Sequence, residues 1–371
     1  MARLWTATTR RSTASALTRA IPSLDGIRAI AVLLVIWGHG AATLPQTDLV
    51  VALRNYLPGG YFGVQVFFVL SGFLITTLLL RERNKTGKID LVAFYRRRAY
   101  RILPALWVFL IVLVILALTG VIDGIEPRDI ISPALFIRDY WPIDGSWWTG
   151  HTWSLSVEEQ FYVLWPLGAL LMPRRIAIRV LIGGMLLSPA IRIVTYMLPF
   201  TPAGAVQYMF HTRADALMMG CLLAYGIGSG QFERLATWVF RRRLQWLAVA
   251  WLPISWVMAG VLEGVWLYTV GYLGDALSIA TIMLWMMRKP ASPFGRLLNA
   301  RAMVHLGLIS YSLYLYQQLF MTRFNDSWSG GLTLGGLIAL FAAAEGSYWL
   351  VEQQFLRLRS RRDRRTRHAA P

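Results

Sequence analysis

Two ionisable side chains stand eleven positions apart inside an apolar stretch near the start of the chain, Arg28 and His39 in SLDGIRAIAVLLVIWGHG. Eleven residues make close to three helical turns, so both side chains fall on one face, roughly 16 Å apart along the axis. Ionisable residues within a membrane span usually face the protein interior and mark a functional path, though a single histidine can also just hydrogen-bond a neighbouring helix. A buried neutral imidazole can take the proton of an attacking hydroxyl.

A second group follows in FYRRRAYRILPALW, where Arg97 and Arg101 stand at i and i+4 with Arg98 adjoining and Pro104 suits the first turn of the next span. Forked guanidinium donors match phosphate oxygens, while the plainer use of such a cluster is to fix topology against anionic headgroups. In HTWSLSVEEQFYVLWPL, Ser156 and Glu159 have capping-box spacing, which gives Glu159 a structural role as the third helical residue. Glu158 and Glu159 are still two adjacent carboxylates expected at the outer end of a span, level with His39, where Glu159 can orient the imidazole and Glu158 can touch a hydroxyl acceptor. Ser71-Gly72-Phe73 suits close helix packing, with Ser71 a candidate substrate contact. Arg213 is a candidate substrate contact expected to be neutralised by Asp215, and Glu345 and Glu352 lie about two turns apart on nearly one face. The single cysteine, Cys221, excludes an intramolecular disulfide and any cysteine metal cluster, and nothing near it lowers its pKa. The five histidines show no ligand spacing, so no metal is expected.

What must position these groups is a membrane bundle. Of 371 residues, 56% are hydrophobic and 15% charged, too few charges for an ordinary soluble domain. Runs of spanning length fall at about 27–44, 61–80, 102–122, 153–172, 177–198, 211–228, 244–262, 265–287, 302–322 and 332–351, which predicts an all-α protein of ten transmembrane helices. With both termini in the cytoplasm, 30 of the 37 Lys and Arg residues lie in inner segments and four in outer ones, Arg54, Arg128, Arg138 and Arg323. That positive-inside asymmetry explains the net charge of +18 without nucleic acid. The predicted organisation is a basic N-terminal segment at 1–23, a membrane domain at 24–352 and a basic tail at 353–371, the tail a solvated or anionic-lipid contact. The first run is kept as a span rather than a signal peptide, because it contains Arg28 and His39 and ends without a convincing cleavage site. The outer connector at 123–150 carries Trp141, Trp147 and Trp148, either an aromatic belt or a lid or carbohydrate-facing rim. A transporter or flippase would also bury Arg, His and Glu, but it should show internal repeats, and none is visible.

Taken together, these residues resemble acyltransferase family three, the polytopic membrane O-acyltransferases that modify bacterial surface glycans and some secondary metabolites. The resemblance rests on Leu24-Asp25-Gly26-Ile27-Arg28 with ten residues before His39, on FFVLSGFLIT at 67–76, on Arg97-Arg98-x-x-Arg101-Ile102-x-Pro104, on WSLSVEEQFYVLWP at 153–166, on RADALMMG at 213–220 and on SYSLYLY at 310–316. It covers nearly the whole chain and implies a multi-pass protein of the bacterial cytoplasmic membrane. The implied reaction moves a short acyl group, acetyl above all, from acyl-CoA to a hydroxyl of a carbohydrate or glycosylated acceptor. It further implies that Arg28 and His39 are essential and that Arg97, Arg98 and Arg101 hold the acyl-CoA donor. The chain departs from the family at Gln65, where Asp is frequent, at Gln317, where His is frequent, and at Glu352-Gln353-Gln354, where Glu-Arg/Lys-Pro is frequent. Some relatives append an extracellular hydrolase-like domain. Here the chain ends about 20 residues past the last span, which leaves transfer to the membrane domain or a partner.

Overall fold

A computed structural model describes residues 21–44, 47–56, 59–141, 144–199, 201–202, 204–321 and 333–368, with side chains described throughout except at 54–56 and 361–368. Arg323, most of the N-terminal segment and the side chains from Arg361 onward lie outside the described residues. The order is α1 (Leu24–Gly40), α2 (Asp48–Tyr56), α3 (Gly60–Thr86), α4 (Leu91–Leu118), α5 (Pro127–Ala134), α6 (Trp147–Gly150), α7 (Trp153–Leu171), α8 (Arg174–Met197) and α9 (Phe210–Gly226). There follow α10 (Gly230–Arg241), α11 (Gln245–Trp266), α12 (Tyr272–Arg288), α13 (Pro293–Leu298), α14 (Arg301–Leu308), α15 (Ser310–Phe320), α16 (Leu334–Ser347) and α17 (Gln353–His368).

Helix α4 shows why these elements belong in lipid. Ile102, Ala105, Leu106, Phe109, Leu110 and Leu113 form one buried stripe, while Trp107, Ile111, Ile115 and Leu118 on the other side are exposed. A helix apolar all round with one side open has lipid, not water, for a neighbour. Among the described residues, six helical runs are long and apolar enough to cross a membrane: 24–43, 60–86, 91–118, 174–197, 245–288 and 334–360. The 44-residue run at 245–288 is itself a hairpin. It breaks at Glu263 (φ 46°) and again in a π turn at Leu267–Gly271, and α11 folds back on α12 so that Trp251 donates to Asp275 (2.9 Å) and Trp246 meets Trp285 (5.0 Å between centroids). The chain is thus an all-helical, multi-pass membrane protein.

Helix α3 is central, packed against α1, α7, α9 and α12. Its approach to α9 is backbone-close: a Cβ on Gly72 would strike the Leu217 carbonyl, and one on Gly220 would strike the Val69 carbonyl and the Phe73 nitrogen. Small residues at both crossing points bring two of the sequence motifs, FFVLSGFLIT and RADALMMG, into one packed unit. Pro104 lies inside α4 rather than in its first turn, because α4 begins at Leu91, capped by Asp90 accepting from the Ala93 nitrogen (2.8 Å). The segment expected to be an inner connector at 81–101 is therefore largely helical.

The expected Arg213–Asp215 pair does not form. Positions two apart on a helix do not face each other, and Asp215 instead pairs with Arg192 of α8, which also donates to the carbonyls of Thr212 (2.8 Å) and Tyr268 (3.4 Å). Arg192 and Asp215 are both essentially inaccessible. Asp215→Asn should therefore leave an uncompensated buried cation and destabilise the fold by about 3–5 kcal/mol, read as a lowered thermal midpoint and yield in detergent. An unchanged midpoint would show that Arg192 is not neutralised by this contact.

Candidate active site

The site residues separate into two clusters joined by α1. The arginine end is built by α1, α4, α7 and the π turn at Tyr348–Glu352 ahead of α17. Arg98 pairs with Glu159 (3.4 Å) and stacks over the Tyr162 ring at 3.4 Å, while Arg97 turns outward to Glu82 (2.9 Å). Glu158 accepts from Ser71 (3.1 Å) and from the Tyr162 hydroxyl (3.1 Å). Glu352, buried, accepts from Ser312 and lies within electrostatic reach of Arg101 and Arg28. Arg28 and Arg101 lie near enough to repel each other, and neither makes a hydrogen bond or ion pair among the described residues. Arg28 is only 7% exposed. Two neighbouring guanidinium groups held this way offer unsatisfied forked donors to a polyanionic ligand.

Glu159 is consequently not the orienter of His39. Nor is it the third residue of a capping box: α7 begins at Trp153, so Ser156 lies a turn inside, donating to the Thr152 carbonyl (3.3 Å) and accepting from the Arg138 nitrogen (3.1 Å). That places Glu159 deeper in the bundle, within reach of α4. Glu345 and Glu352 also part company, because the π turn between them shifts the register and Glu345 goes to His305 and Trp349.

The histidine end is built from α1, α6, the residues ahead of α7, and the last turn of α15. His39 Nδ1 lies 3.1 Å from the Val35 carbonyl, and a carbonyl only accepts, so Nδ1 carries the hydrogen and Nε2 keeps its lone pair. The ring meets Trp147 edge-on at 5.6 Å and lies against the Gln317 side chain. Gln317 and Gln318 project from α15, both buried. Gln318 Oε1 accepts from His151 twice, from its backbone nitrogen (3.1 Å) and from Nδ1 (2.5 Å), and the Gln318 carbonyl accepts from Trp147 Nε1 (3.2 Å). Between the ends, the Tyr314 hydroxyl bonds Ser154 (2.5 Å) and donates to the His151 carbonyl (2.6 Å), and Phe109 faces the His151 ring.

His151, Gln317 and Gln318 are what the sequence reading missed as site residues. His151 stands two residues ahead of the predicted span at 153–172, and two neutral amides carry no charge signal. Burial pushes the His151 imidazole down to about 3, the Gln318 contact opposing only in part. Its folded pKa thus lies below the unfolded value near 6.5, so stability is present above that pH and is lost as pH falls toward 3, at up to about 1.4 kcal/mol per pH unit. The thermal midpoint of His151→Gln should fall less steeply than wild type between pH 6.5 and 4, and parallel curves would contradict this.

Arg213 belongs to neither cluster. It is 1% exposed, sits over the Tyr272 ring at 3.9 Å with Trp153 and Phe68 farther off, and donates to Gln65 Oε1 (3.4 Å). Cys221 is buried against the Gly72 carbonyl, as inert as its sequence context suggested.

The chain is similar to curated bacterial O-acetyltransferases. O-acetyltransferase OatA of Staphylococcus aureus (strain NCTC 8325 / PS 47) is 29% identical over 333 residues, covering 84% of this chain and 52% of that protein. Peptidoglycan O-acetyltransferase OatA of Listeria monocytogenes serovar 1/2a is 30% identical over 325 residues, covering 81% of this chain and 49% of that protein. The chain thus spans about half the length of the curated relatives it matches. No solved structure matches it significantly. The profile of the acyltransferase domain, family three, matches residues 21–352, which contain every residue of both clusters, and the chain belongs to that family.

Proposed function

We propose that this chain is a membrane O-acetyltransferase that takes an acetyl group from acetyl-CoA at the arginine end and delivers it to a glycan hydroxyl at the histidine end. The observation that carries the reading is helix α1, which holds Arg28, with no bonded partner among the described residues, at one end and His39, its Nδ1 given to the Val35 carbonyl, three turns away. Arg28 and Arg101 would take the CoA phosphates, with Arg98 held beside them by Glu159. Arg97 would contribute only at the rim. The thioester arm would then run along α1 past Glu158, Ser71 and Tyr314. His39 would act as the general base that deprotonates the acceptor hydroxyl as its oxygen attacks the thioester carbonyl. Arg213, in its aromatic surround, would hold acceptor-side structure. The Listeria relative is a peptidoglycan O-acetyltransferase, which makes peptidoglycan the first acceptor to try.

In this reading the chain crosses the bacterial cytoplasmic membrane ten times with both termini inside. The three helical elements that fall outside the long apolar runs, α7, α9 and the α14–α15 pair, complete the count, and residues 24–352 form one catalytic domain. The charge asymmetry supports an arginine end in the cytoplasm, where CoA resides. The test is thiol release and label transfer from radiolabelled acetyl-CoA by purified protein in nanodiscs, with muramyl glycan fragments as acceptor. Label in an alkali-labile ester on the glycan is expected. Absence of both thiol release and ester would overturn the reading.

A further inference from the structure

Gln317 is fully buried, and although its amide lies close against the His39 ring, neither its nitrogen nor its oxygen reaches full hydrogen-bond geometry with any described residue. The next residue shows that α15 can satisfy an amide here, since Gln318 accepts twice from His151. A buried unpaired amide costs stability, and each such group in a folded protein calls for a reason. The reason lies in where it points, against the ring of His39. Another orphaned atom at this end is His151 Nε2, on a ring within electrostatic reach of His39. A donor held fixed and desolvated next to a general base, without a well-formed hydrogen bond of its own, has the properties of an oxyanion donor before substrate arrives.

We infer that Gln317 is a catalytic residue whose Nε2–H binds the carbonyl oxygen of the acetyl thioester as that oxygen becomes an anion. This rests on the acetyl-transfer reading above. The acceptor oxygen bonds to the carbonyl carbon while its proton passes to His39 Nε2, and the carbonyl electron pair moves onto oxygen, where Gln317 holds it. Collapse restores the C=O bond, breaks the C–S bond and expels the CoA thiolate, which takes the proton back from His39. The products are the acetyl ester, CoA thiol and neutral His39.

Gln317→Met keeps the volume and removes the donor. In the nanodisc assay kcat should fall about 100- to 1,000-fold with the acetyl-CoA KM unchanged. The thermal midpoint should hold or rise, because an unpaired buried amide has been replaced by an apolar isostere. Gln317→His, which presents a ring N–H, should recover part of kcat. A wild-type kcat in Gln317→Met, or a lowered midpoint, overturns the assignment, the latter marking the amide as structural. Failure of the wild-type protein to transfer acetyl in the same assay would instead overturn the acetyl-transfer reading on which it stands.

Discussion

His39→Ala should leave a protein that folds and reaches the membrane but transfers acetyl groups at least about 100-fold more slowly, the usual loss on removing a general base. The expectation of normal folding has a structural ground: the imidazole bonds the Val35 carbonyl one turn back on its own helix and otherwise touches only neutral groups, Trp147 and Gln317, so its removal breaks no buried ion pair of the kind that joins Arg192 to Asp215. His39→Gln should be equally inactive, because it fills the space without accepting the proton. Transfer by either variant within tenfold of wild type, at equal expression, would remove His39 from the chemistry.

The second large effect is expected at Arg101. Loss of a charge-assisted contact to a phosphate is worth about 1.5–3 kcal/mol, so Arg101→Ala should raise the acetyl-CoA KM about 10- to 100-fold. Arg97→Ala, which loses only a partly exposed contact to Glu82, should change it little. Arg101→Lys should restore part of the binding, since a point charge replaces a fork. The sign of the stability change separates ligand binding from architecture. Arg101 faces Arg28 without a bonded carboxylate of its own, so Arg101→Ala relieves like-charge repulsion, and the ligand-free thermal midpoint should hold. An unchanged KM would return the cluster to a topology signal.

These expectations differ from those the sequence supports alone, and the difference has physical causes. The shared face of Arg28 and His39 was legible because helical period needs only one element. The membrane character was legible because apolar runs and charge asymmetry are local sums. Pairing was not legible, because it depends on which helices meet: Asp215 is claimed by Arg192 from 23 positions away, and Glu159 by Arg98 from 61. The capping-box spacing at Ser156 misled because the chain turns helical at Trp153, before the apparent cap, and moves the carboxylate away from the histidine end. Gln317 stood out only as a departure from the family pattern, since an amide gains meaning from the partners it lacks.

The central claim is that the acetyl group passes from a donor held at the arginine end to an acceptor at the histidine end. It is tested most directly in proteoliposomes with the orientation fixed by affinity capture, radiolabelled acetyl-CoA on the side of α4's arginine-bearing end and muramyl glycan fragments on the other side only. The account predicts acetyl ester on the glycan in the opposite compartment, absent with His39→Ala and reduced with Arg101→Ala at limiting acetyl-CoA. Ester formed only when donor and acceptor share one compartment would contradict it.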